Sequence, residues 1–410
     1  MQEQTQQQPN IHIVDSIMGS GKTSWAIQYM NEAATDERFI YITPFLSEVQ
    51  RVKESVTNRN FVEPLQKGNG KLDNLKKLIL NERDIVSTHQ LFRMADEELI
   101  ELLKVSNYTL ILDEVMNVVE EFPLNKDDFK LLLNSNMVSV EEETGVIRWN
   151  DNSEYQNTKY NEIKNLCKNE NLIYFENTVL FWSFPVPAFQ AFKEIYILTY
   201  LFQCQEQKYY YDMYDLQYSY KAIQKLNETY VLVDHASKEP YDKTLLKSLI
   251  NIYEGSLNDI GTESFSLSVS WYEKEKNKSL VEKMKKNLYS YFRNNAKTPT
   301  TLNMWTSYKA HKNKLKGKGY TKGFVSHNAR ATNDYQHKES LAYVINRFMN
   351  PYKYKFFKSR DVEVNQDLYA LSELIQWIWR SQIRTGKPIN LYIPSNRMRT
   401  ILQEYLDSNL

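Results

Sequence analysis

The stretch Ile11-His12-Ile13-Val14-Asp15-Ser16-Ile17-Met18-Gly19-Ser20-Gly21-Lys22-Thr23-Ser24 decides how the rest of the chain is read. Ile11 to Asp15 is a short apolar run of strand type. A glycine turn follows, and then a helical pattern from about Lys22 to Ala33. Strand, glycine loop, Gly-Lys-Thr and helix together form the context of a phosphate-binding loop. Gly19 and Gly21 let the backbone curl so that its N–H groups point inward at phosphate oxygens. The helix adds the positive end of its dipole. Lys22 supplies a point charge for the β- and γ-phosphates, and Thr23 a hydroxyl for Mg²⁺. Ser16 stands where the general pattern has its first glycine. Ser16, Met18, Gly19, Ser20, Gly21, Lys22, Thr23 and Ser24 are the expected nucleotide contacts.

Tyr108-Thr109-Leu110-Ile111-Leu112-Asp113-Glu114 supplies the other half of the site. The run is apolar enough to be buried on both faces, as strands of parallel sheets are. An acid at its C-terminal end sits at the ligand edge of such a sheet. Asp113 is expected to hold Mg²⁺ and Glu114 to polarise the attacking water. The bland alternative, acids favoured by a nearby helix N-terminus, predicts no phosphate loop upstream.

Working outward, Phe39 to Thr43 and Asp84 to Thr88 read as further strands, so short apolar runs alternate with helical patterns as in a parallel α/β sheet. The rhythm breaks between about 118 and 187. A hairpin (Met137–Val140 with Gly145–Trp149) and a helix near Asn157 to Lys168 mark an insertion there. Ile195 to Thr199 returns to the sheet. A second αβ set follows, with strands expected at Ser264 to Ser270, Thr300 to Trp305, Lys322 to Ser326 and Asn390 to Ile393. Helices are expected at Lys276 to Phe292, Leu371 to Ile383 and Arg397 to Leu406. The simplest partition is a polar, disordered tail (1–10), a first domain (11–204) and a second (205–410) that begins with a linker.

The chain has 410 residues, 42% of them hydrophobic, enough for two cored domains. Lysine plus arginine number 51, and so do aspartate plus glutamate, so any basic surface for a polyanion must be local. The two cysteines, Cys167 and Cys204, are too few for a disulfide scaffold or zinc module and fit a reducing, cytoplasmic setting. No apolar run of the roughly 18 residues needed to span a bilayer is present, so no membrane partner is expected.

The order of these motifs resembles superfamily 2 helicases, the DEAD/DEAH-like group with two RecA-like domains. Gly19-Ser20-Gly21-Lys22-Thr23 matches motif I, and Thr43-Pro44-Phe45-Leu46-Ser47-Glu48-Val49-Gln50 looks like motif Ia. Ser87-Thr88-His89 resembles a second backbone-contacting motif. Asp113-Glu114-Val115-Met116 stands where the family has DEAD or DEAH, and Leu198-Thr199-Tyr200 stands in for motif III. In the second half, Asn328-Ala329-Arg330-Ala331-Thr332-Asn333-Asp334 looks like motif V. Gln376-Trp377-Ile378-Trp379-Arg380-Ser381-Gln382-Ile383-Arg384 looks like motif VI, with tryptophan in place of glycine and the second arginine one place late. The tail of the chain also looks like small helicases often encoded by phages.

That resemblance implies an α/β fold of two RecA-like P-loop domains with parallel sheets, the first carrying an insertion. It implies ATP and Mg²⁺ as cofactors and hydrolysis coupled to movement along DNA or RNA. Gln376, Arg380 and Arg384 fall at i, i+4 and i+8 and would share one helix face, with Arg380 favoured over Arg384 as the arginine finger. Pro44, Thr88, His89 and Thr332 become candidate nucleic-acid contacts. Lys312 and Lys314 join them from a lysine-rich stretch read either as a phosphate-tracking loop or as a solvated face. Single-stranded DNA or a forked duplex is the expected partner, with replication or recombination proteins as further candidates. Two alternatives stay open: an ATP-regulated clamp or annealing protein without processive unwinding, and a phosphotransferase or packaging-type ATPase. The Tyr209-Tyr210-Tyr211 cluster reads as core in preference to a stacking surface.

Overall fold

Asn10–Asp15 forms β1, the strand expected ahead of the phosphate loop, and its Ile13 and Val14 are fully buried. The computed structural model describes residues 9–66, 68, 70–150, 160–237, 243–328 and 334–408, so the tail 1–8 and Thr332 lie outside the described residues. The chain divides into two compact units. The first comprises Met1–Ser16, Ser20–Lys238 and Tyr352–Val364, and the second Ile17–Gly19, Glu239–Pro351 and Asn365–Leu410.

In the first unit, β1 is followed by β2 (Arg38–Thr43), β3 (Ile85–Thr88) and β4 (Tyr108–Asp113). Next come β5 (Val119–Glu121), β6 (Val138–Val140), β7 (Ile147–Trp149), β8 (Leu172–Phe175) and β9 (Val179–Ser183). β10 (Glu194–Thr199), β11 (Tyr218–Leu226) and β12 (Thr229–Asp234) complete it. Among the described residues the main sheet has seven strands in the order β12-β11-β1-β10-β4-β2-β3. All neighbours are parallel except the β11–β12 hairpin. The chain leaves β1 toward the β3 edge and leaves β10 toward the β12 edge. The winding therefore reverses at β1 and β10, and a crevice opens at their C-terminal ends.

The helix Lys22–Glu32 (α1) buries Trp25, Ala26 and Met30 in one core cluster with Tyr41 and Leu198 of that sheet. The insertion is built from an antiparallel sheet β5-β9-β8 and the hairpin β6–β7. It takes its last piece from far along the chain. Phe356, in the helix Pro351–Lys358, lies 4.7 Å from Phe181 and 5.5 Å from Phe175, ring to ring. Arg360 covers Phe356 at 3.9 Å and donates to the Thr144 carbonyl at 2.9 Å.

One expectation about the first unit needs correcting and one is met. The unit does not end at residue 204, because β11 and β12 hydrogen-bond into its main sheet and carry it on to Lys238. The Tyr209 to Tyr211 cluster is buried core: Tyr210 donates to the Phe184 carbonyl at 2.7 Å, and Tyr211 accepts from Gln207 at 3.0 Å.

The second unit holds β13 (Ile250–Ile252), β14 (Asn303–Thr306), β15 (Ser340–Tyr343) and β16 (Ile389–Tyr392), a parallel sheet in the order β13-β16-β15-β14. Asn365 caps the helix Gln366–Ile378 and Ser395 caps Asn396–Asp407, each side chain accepting a first-turn N–H. Ser264 to Ser270 is not a strand. It is a turn-rich loop leading into the helix Val269–Glu273, which the Ser268 hydroxyl caps through Trp271 N–H at 3.3 Å. Lys322 to Ser326 contributes only one bridge, Phe324 to Trp305. The lysine-rich stretch is not a loose loop either. Leu315 is fully buried inside it, and Tyr320 donates to the Leu315 carbonyl at 2.6 Å. No helix among the described residues is long and apolar enough to cross a membrane.

His327 sits in this unit with its ring edge-on to Tyr308 at 5.8 Å. Burial pushes its pKa down to about 4. The Glu373 carboxylate pulls it up, while Arg347 and Arg380 add to the depression. An unfolded histidine titrates near 6.5, so between about pH 6.5 and 4 the unfolded chain holds the extra proton. Stability contributed here is complete above 6.5 and falls as pH drops through that window. Going from pH 7 to 5 should cost about 2 kcal/mol through this group. His327→Gln should flatten that part of the curve in denaturant unfolding at the two pH values; an unchanged slope would show that His327 takes up its proton alike in the folded and unfolded chain.

Candidate nucleotide site

The register of the first sheet brings the two sequence motifs together. Asp15, the last residue of β1, pairs with Thr199 of β10, and on the other side of β10 Asp113 pairs with Leu198. The exits of β1 and β4 are therefore level to within one residue. They flank a single strand, two sheet spacings or about 10 Å apart. That distance suits a polyphosphate gripped from one side and a metal held from the other. Consistent with it, the Lys22 ammonium is near enough to Asp113 to pull its pKa down.

The loop itself is shaped by two left-handed glycines, Gly19 at φ 83° and Gly21 at φ 94°, and α1 begins directly after Gly21. The Lys22 ammonium folds back onto the Ser16 carbonyl. Ser20 Oγ is buried with no partner. An orphaned hydroxyl and a lysine resting on its own loop are what a cradle for an oxyanion looks like, so the donor set fits a phosphate group.

Across β10, Asp113 accepts from the Tyr41 hydroxyl at 2.8 Å. Burial and, next, the neighbouring Glu114 carboxylate push its pKa up to about 7, against the pull of Tyr41 and Lys22. Two crowded carboxylates at a strand end suit a divalent cation, which would favour the ionised pair. Glu114 has φ 73°, a strained value for a residue with a side chain, and its N–H donates to the Leu198 carbonyl at 3.0 Å. The chain is thus turned out of the sheet at the residue proposed to handle water. Strain at such a position is common where function demands it.

Three contributors to this geometry, Asp15, Gln207 and Tyr230, were missed in the sequence, and Ser16, expected as a nucleotide contact, has a further role. Asp15 is buried and its two oxygens accept from Leu201 N–H and Phe202 N–H, each at 2.9 Å. It ties the turn after β10 to the strand feeding the loop. Ser16 occupies the first position of the phosphate-loop pattern, and its hydroxyl accepts from Ile223 N–H of β11 at 3.0 Å. A glycine there could not make that bond. Buried Gln207 accepts from Met116 N–H at 2.9 Å and fixes the segment that follows the acid pair. Tyr230 of β12 lies against Gly21, where an added Cβ would come within 2.1 Å of its ring. None of these partners is near in sequence, so only a general signal, polar residues at strand ends, could have found them.

Gly21 is therefore constrained twice, by its left-handed backbone and by Tyr230. Gly21→Ala should cost about 2–4 kcal/mol, the sum of an αL penalty and an overpacking term. Gly19 has the same handedness but open space around it, so Gly19→Ala should cost only the first part. Thermal unfolding of both, with Gly21→Ala/Tyr230→Ala as a partial rescue, checks this. Equal losses and no rescue would show that the ring does not press on the loop.

The remaining expected residues are distributed as follows. Thr23 and Ser24 lie in the first turn of α1, with Ser24 exposed. Pro44 and Thr88 sit at the C-terminal ends of β2 and β3, on the same sheet edge as the phosphate loop, whereas His89 is buried and offers little surface. Lys312 packs its ammonium 4.3 Å from the centre of the Phe324 ring, and Lys314 is exposed. Gln376, Arg380 and Arg384 do not share one helix face. The helix stops at Ile378, Arg380 is buried just beyond it, and exposed Arg384 lies in a separate turn, Gln382–Thr385. Arg380 donates weakly to the His327 carbonyl at 3.4 Å.

Residues 244–406 match the family model for the YonV C-terminal Rossmann-like domain, and residues 119–182 match that for the YonV middle domain. The second match falls on the insertion. Among solved structures, an XPD helicase aligns over 96% of this chain and 94% of its own, with a TM-score of 0.48 and 12% identity. S. tokodaii Xpd4 aligns over 97% and 94%, at 0.47 and 8%. The helicase MrfA bound to DNA and AMPPNP aligns over 98% of this chain and 48% of its own, at 0.34 and 9%. Scores of this size carry no functional weight. The SPbeta prophage-derived uncharacterized protein YonV of Bacillus subtilis (strain 168) is 46% identical over 410 residues, spanning 97% of this chain and 99% of that one. The chain is a member of the YonV family.

Proposed function

We propose that the chain is an ATP hydrolase whose cycle is coupled to nucleic acid, a helicase or translocase working on single-stranded DNA or a forked duplex. The observation that carries the reading is the level pairing of the β1 and β4 exits on either side of β10, with Lys22 on one and Asp113 on the other. Bound there, ATP with Mg²⁺ would supply the transferable γ-phosphoryl group and its counter-charge. Lys22 and the loop N–H groups would grip the phosphates. Thr23 and Asp113 would hold the metal, with Tyr41 fixing the Asp113 carboxylate. Glu114 would take the proton of the attacking water.

Arg380 and Arg384 of the second unit remain the candidates to neutralise charge on the transferring group. Pro44 and Thr88, exiting the same sheet edge, suit contacts to a sugar-phosphate backbone.

Hydrolysis of ATP measured with a panel of single-stranded and duplex DNA and RNA tests the coupling. Stimulation by nucleic acid is expected. A rate indifferent to every polymer would leave a phosphotransferase or packaging-type ATPase. Stimulation without strand displacement or directional movement would leave a clamp.

A further inference from the structure

We infer that Phe265 is a base-stacking post for single-stranded nucleic acid, an assignment that rests on the nucleic-acid reading above. Its side chain is 67% exposed, unusual for a phenylalanine. The loop that carries it is not loose. It crosses the C-terminal ends of β16 and β15, the edge at which parallel α/β sheets receive ligands. At one end Asn396 N–H donates to the Gly261 carbonyl at 2.8 Å, and a Cβ at Gly261 would lie 1.8 Å from the Pro394 carbonyl oxygen. At the other end fully buried Asn346 donates its side-chain amide to the carbonyls of Ser264 (2.7 Å) and Ser266 (3.1 Å), and its backbone N–H to Leu267 (3.0 Å).

At the second anchor Leu267 has φ 66°, a strained value for a leucine. The fold therefore spends three bonds from one buried asparagine and a strained residue on holding an apolar ring out in solvent. Strain of this kind gathers at functional positions.

The ring is not alone. Phe348, on the turn after β15, lies 5.4 Å away at 30° to it, and the Arg397 guanidinium sits 4.1 Å from the Phe348 ring centre. An exposed ring tilted against a second aromatic that a guanidinium covers presents a polarised flat face, which is what a nucleobase stacks on. A protein-docking patch is the weaker fit. With partly exposed Val269 beside it, the apolar surface is on the order of 200 Å², short of the several hundred expected for such a patch.

The test uses the full chain and an oligothymidylate carrying one 2-aminopurine, read by fluorescence quenching and by equilibrium binding. Phe265→Ala should weaken single-strand affinity by about tenfold and reduce the quench, and Phe265→Trp should restore both. On a strand with abasic sites the wild type and Phe265→Ala should bind alike. Equal affinity of the two proteins for the normal strand overturns the stacking assignment while leaving the nucleic-acid reading intact. A wild type that binds no strand at all removes both. Self-association of the wild type that is lost in Phe265→Ala would make the ring a contact between copies and overturns the assignment too.

Discussion

Lys22→Ala should lower ATP turnover by about 10²–10³-fold, the usual effect of deleting one charged stabiliser of a transferring group. The side chain lies in the first turn of α1 and bends back over its own loop to reach the Ser16 carbonyl. It thus already occupies the mouth of the cradle and feels the Asp113 carboxyl across β10. Lys22 is only half-buried at the start of α1, so folding should be preserved and thermal unfolding should be close to that of the wild type. Because the charge also attracts the ground-state triphosphate, affinity for a fluorescent ATP analogue should fall along with kcat. A Lys22→Ala protein that hydrolyses ATP at the wild-type rate would remove the phosphate site as a whole, and every role built on it.

Glu114→Gln should separate the two quantities that Lys22→Ala lowers together. The change keeps the shape and removes only the ability to accept a proton, so kcat should drop by about 10²–10⁴-fold while nucleotide binding holds. The position itself supports the assignment. Glu114 leaves the strand at φ 73° with its N–H still held by the Leu198 carbonyl, whereas Asp113 stays in register and is pinned by Tyr41. The two acids are adjacent in sequence but held in different backbone settings. Steady-state hydrolysis alongside analogue binding makes the measurement. Normal turnover in Glu114→Gln with loss of activity in Asp113→Asn would hand the proton to Asp113 instead.

Much of this was legible in the sequence where the signal is local. β1, the loop and α1 follow one another within two dozen residues, and their pattern cannot easily be mistaken. β4 announces itself by six residues buried or nearly so, ending in an acid. The reading failed where partners are distant. Asp15 reaches Leu201 and Phe202 far along the chain, and Ser16 reaches Ile223. β11 and β12 are half-buried or exposed apart from Ala222 and Ile223, and they come far along the chain from the strand they pair with, so little in them marks a place in the first sheet. Alternation misled at Ser264 to Ser270, where polar and apolar residues alternate but Leu267 adopts a backbone angle that no strand allows. Helical spacing misled at Gln376, Arg380 and Arg384, because spacing implies a common face only while the helix continues, and it ends at Ile378.

The segment Tyr352–Val364 belongs to the first unit although the chain on both sides of it belongs to the second. During synthesis the insertion cannot finish folding when its own residues have left the ribosome. Phe175 and Phe181 must wait for Phe356, about 175 residues later, which at ordinary elongation speeds is on the order of ten seconds or more. Over that interval an aromatic seam stays open to solvent and to any chaperone that recognises such surfaces. A fragment stopped at Lys238 would keep the seam open for good and should aggregate, and a synthetic peptide covering 351–364, added in trans, is the natural plug for it.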